Sequence, residues 1–98
     1  MLEAIYQRAV AIELESRGIS HEVERSIPVI FKSQPICHQR VDLIVDEQVI
    51  LELKAVERLT PLHEAQALSY LRVAGLRIAL LIYFNVPVLK SGIRRIVL

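Results

Sequence analysis

Apolar positions along the chain recur first at helical and then at strand spacing. Between Met1 and Arg17, Leu2, Ile5, Tyr6, Ala9, Val10 and Leu14 mostly follow a 3.6-residue period, and Gly18 stands where a C-terminal cap belongs. A first helix is predicted there. From His21 to Phe31 the period drops to two, with Val23, Ile27, Val29 and Phe31 on one parity. Pro28 has no N–H to give a neighbour, so this strand belongs at a sheet edge.

Ser33-Gln34-Pro35 reads as a loop, followed by strands at Cys37 to Val45 and Val49 to Ala55 that form a hairpin. Thr60 then suits a helix N-cap and Pro61 the first helical position, with the helix running to Val73 before Gly75 ends it. Arg77 to Phe84 has the continuous apolar character of a buried strand. After Asn85-Val86-Pro87, a turn at Lys90-Ser91-Gly92 leads to a short last strand, Ile93 to Leu98. No repeat, low-complexity tract or linker divides the chain, so one domain over residues 1–98 is expected. The order is one helix, three strands, one helix, two strands. The second helix can therefore be a right-handed crossover between parallel neighbours, giving an α/β fold with a mixed sheet and one helix on each face.

The hairpin carries the most information. A two-residue loop at Asp46-Glu47 sends Asp42 and Glu52 to opposite sides of the sheet, whereas a three-residue loop, Asp46 to Gln48, pairs Val45 with Val49 and sets Asp42 opposite Glu52. The second register collects Val41, Leu43, Val45, Val49, Leu51 and Leu53 on one wholly apolar face, so it is favoured. The other face then carries Ile44 and Ile50 near the turn, with Asp42, Glu52 and Lys54 farther along.

Composition narrows what these charges can do. At 98 residues, roughly 65% of the unfolded chain's surface is buried on folding. Hydrophobic residues make up 53% of the sequence but only five are aromatic, which suits a sheet covered by helices better than a surface for stacking bases. Twelve Lys and Arg against eleven Asp and Glu leave a net charge of +1, so any polyanion contact must be local. The longest apolar run, Ile78 to Phe84, is far below a membrane span, and Glu3 stands where a signal peptide carries basic residues; a cytoplasmic protein is expected. Cys37 is alone and is expected to be a small buried or half-buried residue; a thiolate zinc cluster is excluded.

Two carboxylates directly across a strand pair repel each other and need a compensating cation. Lys54 is one candidate. A divalent ion is another, since carboxylate oxygens bind Mg²⁺ well, with waters and substrate phosphate completing its shell. A lysine beside such a pair is placed to hold a water nucleophile or to stabilise charge developing on phosphate. On spacing alone a salt-bridged trio is the better explanation of these residues. The next helix shifts the balance, because His63, Gln66, Ala67 and Tyr70 lie along one stripe, and a Gln with a Tyr four residues on can hold a phosphate without adding charge. His63 can contact phosphate or act at the helix start, with the noncatalytic role expected, and Glu64 is expected to be solvated or paired with Arg72 or Arg58.

Asp42, then nine residues, then Glu52-Leu53-Lys54, then Gln66-x-x-x-Tyr70 on a helix, resembles the PD-(D/E)XK nuclease superfamily, the last pair matching its exonuclease-type branch. More closely, "LEAIY", "RVDLIVDEQVILELKAVERLTPLHEAQALSYL" and "GLRIALLIYFNVPVLKSGIRRIV" resemble the small bacterial and archaeal GxxExxY proteins over nearly the whole chain. The resemblance implies a restriction-endonuclease-like mixed sheet between helices. It implies that Asp42 and Glu52 bind Mg²⁺ or Mn²⁺, that Lys54 is the catalytic lysine, and that Gln66 and Tyr70 assist at the phosphate. Glu3 and Tyr6, matching the Glu and Tyr of the family name, would bring the first helix to the same site, with Glu3 a further metal ligand. The glycine three residues before Glu3 and the helical segment before it are absent, so an N-terminally short member is expected.

The leading expectation is a metal-dependent nuclease hydrolysing phosphodiester bonds of DNA, with RNA the other substrate to test. The alternative is a noncatalytic nucleic-acid or protein-binding module on the same fold. A third reading gives the charges a structural role in a homodimer that covers a sheet edge. Arg94 and Arg95 on the last strand are candidate phosphate contacts.

Overall fold

A computed structural model describes residues 2–56, 58–84 and 92–98. Seven elements follow in the order α1 (Leu2–Ser16), β1 (His21–Phe31), β2 (Gln34–Val45), β3 (Val49–Lys54), α2 (Pro61–Ala74), β4 (Ile78–Tyr83) and β5 (Ile93–Val97). The strands form one mixed sheet in the order β1-β2-β3-β4-β5. β3 and β4 run parallel and are joined through α2, while the other neighbours are antiparallel. The anticipated turn at Lys90-Ser91-Gly92 and the Asn85-Val86-Pro87 stretch before it fall mainly outside the described residues.

Local chemistry explains the helix ends. The Thr60 side chain accepts from the His63 N–H at 3.4 Å while His63 Nδ1 accepts from the Thr60 N–H at 3.1 Å, closing a reciprocal cap around Pro61. This is the role expected of His63 at the helix start. Gly75, at φ 72°, takes the left-handed conformation that ends α2.

The two helices cover opposite faces. Ala67, Tyr70 and Leu71 of α2 pack with Ile44, Ile50, Ala79, Leu81 and Ile96 of the sheet. On the other face, Ala11 of α1 packs with Leu43, Leu51, Leu53 and Phe84. The hairpin register is the three-residue one, with Val45 opposite Val49, Ile44 opposite Ile50 and Leu43 opposite Leu51.

Several expectations are corrected. Val41 does not share a cluster with Leu43, Leu51 and Leu53; it is fully buried on the α2 side. The β1–β2 pairing skips Glu24 and Asp42, and Glu24 adopts φ 54°, so both strands are distorted there and the parity of buried residues switches sides. Gln34 and Pro35 belong to β2, and the turn is Lys32-Ser33, where both residues take positive φ as a tight two-residue hairpin turn requires. β4 is shorter than Arg77 to Phe84 by one residue at each end. Leu2 and Ile5 of the predicted α1 face are exposed, and so is Cys37.

Beyond Leu43, β2 leaves β3 but stays paired with β1 to Gln34, so the two continue as a ribbon past the shared sheet. Ile27 on this ribbon is buried against the α2 cluster, while Phe31 and Ile36 near its tip are exposed.

Candidate active site

The site begins where the β2–β3 ladder stops. Past Leu43 and Leu51 the backbone pairing gives way to side chains: Asp42 Oδ2 accepts from the Leu53 N–H at 2.7 Å, and Glu52 Oε1 accepts from the Asp42 N–H at 3.2 Å. Each carboxylate thus serves a backbone group that a regular ladder would have paired. The reciprocal exchange holds Asp42 and Glu52 together, as the three-residue turn foresees.

The pair lies in a dry place. Glu52 is 4% exposed, the one buried charged residue among those described. Burial, and then the charge of Asp42, push its carboxyl up to about 8, against the opposing pull of Lys54. Burial also raises Asp42, opposed by its hydrogen bond from Leu53 and by Lys54. Both carboxyls are therefore held less readily ionised than free side chains, and each raises the cost of charging the other.

Lys54 reaches toward both the acids and the helix. Its Nζ stands 3.8 Å from Glu52 Oε2 and donates to Gln66 Oε1 at 3.2 Å. The β3–β4 parallel pairing and the crossover place α2 over this end of β3, which is why residues twelve apart in sequence meet. Tyr70, one turn after Gln66, donates its hydroxyl proton to Gln39 Oε1 at 2.6 Å. Burial first, then the charges of Glu52 and Asp42, push the Tyr70 hydroxyl up to about 12, so it remains a donor.

A cavity of about 550 Å³ opens beside this network, lined in part by Gln39, Lys54, His63, Gln66 and Tyr70. Neither carboxylate lines it; Lys54 stands between the acids and the open space.

α1 approaches from the opposite side. Glu3 Oε2 accepts from the Ala55 N–H at 3.1 Å, just past the end of β3, and its charge is felt at Asp42. Tyr6 stacks on Phe84 with ring centroids 3.9 Å apart. Gln7 Nε2 donates to the Asp42 carbonyl at 3.0 Å. Gln7 was missed in the sequence, although its i, i+4 relation to Glu3 puts both on one helix face. Gln39 was missed as well; its signal was weaker, a shared strand parity with Val41. Arg94 is not free for phosphate as the sequence allowed. It pairs with Glu64 at 2.5 Å, a partner different from the expected Arg72 or Arg58.

The donor set fits a hard divalent cation. Mg²⁺ is characteristically held by one or two carboxylates, with water and substrate phosphate filling the rest, and Asp42 and Glu52 are two carboxylates pressed together out of water. A closed all-protein cage is a different arrangement, and no three acidic, His or Cys side chains converge among the described residues.

A family model described as the PD-(D/E)XK nuclease superfamily matches residues 1–96. No curated protein and no solved structure matches the chain. No helix among the described residues is long and apolar enough to cross a membrane.

Proposed function

The chain belongs to the PD-(D/E)XK nuclease superfamily, and on that premise we propose that it is a metal-dependent nuclease hydrolysing phosphodiester bonds of DNA. Superfamily members generally use divalent metals and act on nucleic acid. The observation that carries the reading is the reciprocal carboxylate exchange at the end of the β2–β3 ladder, with Lys54 tied to Gln66 beside it. A purely structural salt bridge would need one acid; a second one, buried and raised toward neutrality, is a cost that binding a cation offsets.

In this reading Asp42 and Glu52 hold Mg²⁺ or Mn²⁺, and Glu3 adds negative charge at the rim. The ion, when bound, supplies Lewis-acid stabilisation of charge on the phosphoryl group. Lys54 holds its ammonium, oriented by Gln66, where it positions the attacking water or balances charge building on the phosphate. Tyr70 keeps its proton and donates it to Gln39 Oε1, which fixes that amide beside the site. The motif resemblance to GxxExxY proteins supports the same assignment of residues.

The test is incubation of the purified protein with linear, nicked and single-stranded DNA in Mg²⁺ or Mn²⁺, with RNA as a further substrate. Cleavage by the wild type and a loss of about 10²-fold or more in Lys54→Ala is expected. Equal cleavage by the variant overturns the role of Lys54. Salt-sensitive DNA binding that ignores divalent ions, with no cleavage, instead identifies a noncatalytic binding module.

A further inference from the structure

Three side chains lining the cavity have their acceptor atoms already spoken for. Lys54 is an ammonium and can only donate, so the atom of Gln66 facing it at 3.2 Å is Oε1, and the amide nitrogen points away from the lysine. Tyr70, held in its protonated form, donates to Gln39 Oε1 at 2.6 Å, which turns the Gln39 nitrogen away from the tyrosine. Neither amide nitrogen has a hydrogen-bond partner among the described residues. His63 Nδ1 accepts from the Thr60 N–H, which leaves the proton of the neutral ring on Nε2. Three of the side chains lining the cavity thus carry donors fixed through their partners: two amide NH₂ groups and one imidazole N–H.

Its other described walls are mostly aliphatic, with the Ser69 hydroxyl among them. Val29 comes from the β1–β2 ribbon, and Leu62 and Ala65 from α2. A phosphate is a poor fit for such a space, because three apolar side chains offer it nothing and Lys54 is the one cation among its described lining residues. A flat ring with apolar faces and acceptors along one edge fits better, and the volume of about 550 Å³ lies in the range of small-ligand sites.

We propose that this cavity is a subsite for a single nucleobase bearing adjacent acceptors, guanine through O6 and N7, from the nucleotide next to the phosphate that Lys54 meets. Arginine and lysine are the side chains that commonly read those two atoms in duplex DNA. Here two amide NH₂ groups, fixed by Tyr70 and Lys54, present the same donor character without charge. Adenine puts an amino donor where guanine has O6, so it meets these donors badly. The ribbon supplies both Val29 and Gln39, which gives the projection of β1 and β2 past the sheet a role in substrate choice. The inference rests on the nuclease reading for its substrate class.

The test uses the full-length protein in EDTA, so that neither cleavage nor a divalent ion enters the measurement. Side-chain amide resonances of Gln39 and Gln66 are followed by NMR during titration with guanosine 5′-monophosphate, its 7-deaza analogue, adenosine 5′-monophosphate and inorganic phosphate. Guanosine monophosphate is expected to shift both amides and to bind about tenfold more tightly than the 7-deaza or adenosine forms, the size of one lost hydrogen bond. Gln39→Leu should abolish that preference. Ala65→Leu, which narrows the cavity without touching either amide, should weaken guanosine monophosphate while leaving inorganic phosphate unaffected. Equal affinity for guanine and adenine, shifts of the same size with inorganic phosphate, or no shift of either amide would overturn the subsite. A protein that binds guanine here yet cleaves nothing loses the nuclease reading and keeps the subsite; one that cleaves DNA with no response at these amides does the reverse.

Discussion

α1 and α2 have nearly the same length, yet they do different work. α2 is fixed at both ends by the Thr60–His63 cap and Gly75, and it buries Ala67, Tyr70 and Leu71 against core residues from all five strands. α1 buries Ala11 alone and leaves Leu2, Ile5 and Ile12 in solvent. Its ties to the sheet are instead polar at one end, from Glu3 to Ala55 and Gln7 to Asp42. The site's own side chains follow the same division. Gln66 and Tyr70 stand on the well-anchored helix, where packing holds their geometry, and α1 contributes charge and a backbone tether from the margin.

Substitutions that separate the helices should break this contrast where it is strongest. Leu71→Ala, at a position with no exposure, removes packing at the centre of the α2 cluster and should cost about 2–5 kcal/mol in urea denaturation. The next effect is one of pH. Glu52 ionises in the unfolded chain near its usual value of 4.5 but in the folded protein only near 8. The unfolded state therefore gains from ionisation first, so stability falls as pH rises between those values and levels off above about 8. The loss should be on the order of 4 kcal/mol by pH 8 in EDTA. Glu52→Gln should remove most of this slope, and adding Mg²⁺ at pH 8 should restore stability to the wild type and not to the variant.

Smaller effects sharpen the same comparison. Thr60→Ala opens the α2 cap and should cost about 1 kcal/mol, measurable as a lowered denaturation midpoint. Ile5→Ser on the exposed face of α1 should change stability by no more than about 0.5 kcal/mol. A large loss at Ile5 would mean that this face is covered in solution, and the difference between the helices would then be one of partner and not of anchoring.

What could be read in advance follows the range of each interaction. The element order, the β2–β3 register and the Thr60-Pro61 helix start depend on neighbours a few residues apart, and period-2 and capping patterns record them. Val41 escaped that logic. Strict alternation puts it beside Leu43, but the distortion at Glu24 and Asp42 turns it to the other face, and the Asp42 carboxylate, not its backbone, meets Leu53. Nothing in an alternating pattern marks where a side chain will replace a ladder bond. The Lys32-Ser33 turn lacks the Gly or Asn that announces positive φ, so the expected loop, Ser33 to Pro35, starts one residue late and ends two residues late. Asp42, Glu52, Lys54, Gln66 and Tyr70 could be singled out from spacing and resemblance, whereas Gln39 depends on a partner 31 residues away. Its amide has meaning only once α2 lies against the ribbon.

The exchange between Asp42 and Glu52 also sets an order of assembly. Its two hydrogen bonds span ten and eleven residues, against 31 for Gln39 with Tyr70 and 52 for Glu3 with Ala55. Short loops close with less entropy lost, and hairpins form on the scale of about 1–10 μs, so the acids meet while the longer-range partners are still being brought in. During folding the two carboxylates are a local product of one hairpin, and the protein completes the surroundings that make them costly only afterwards.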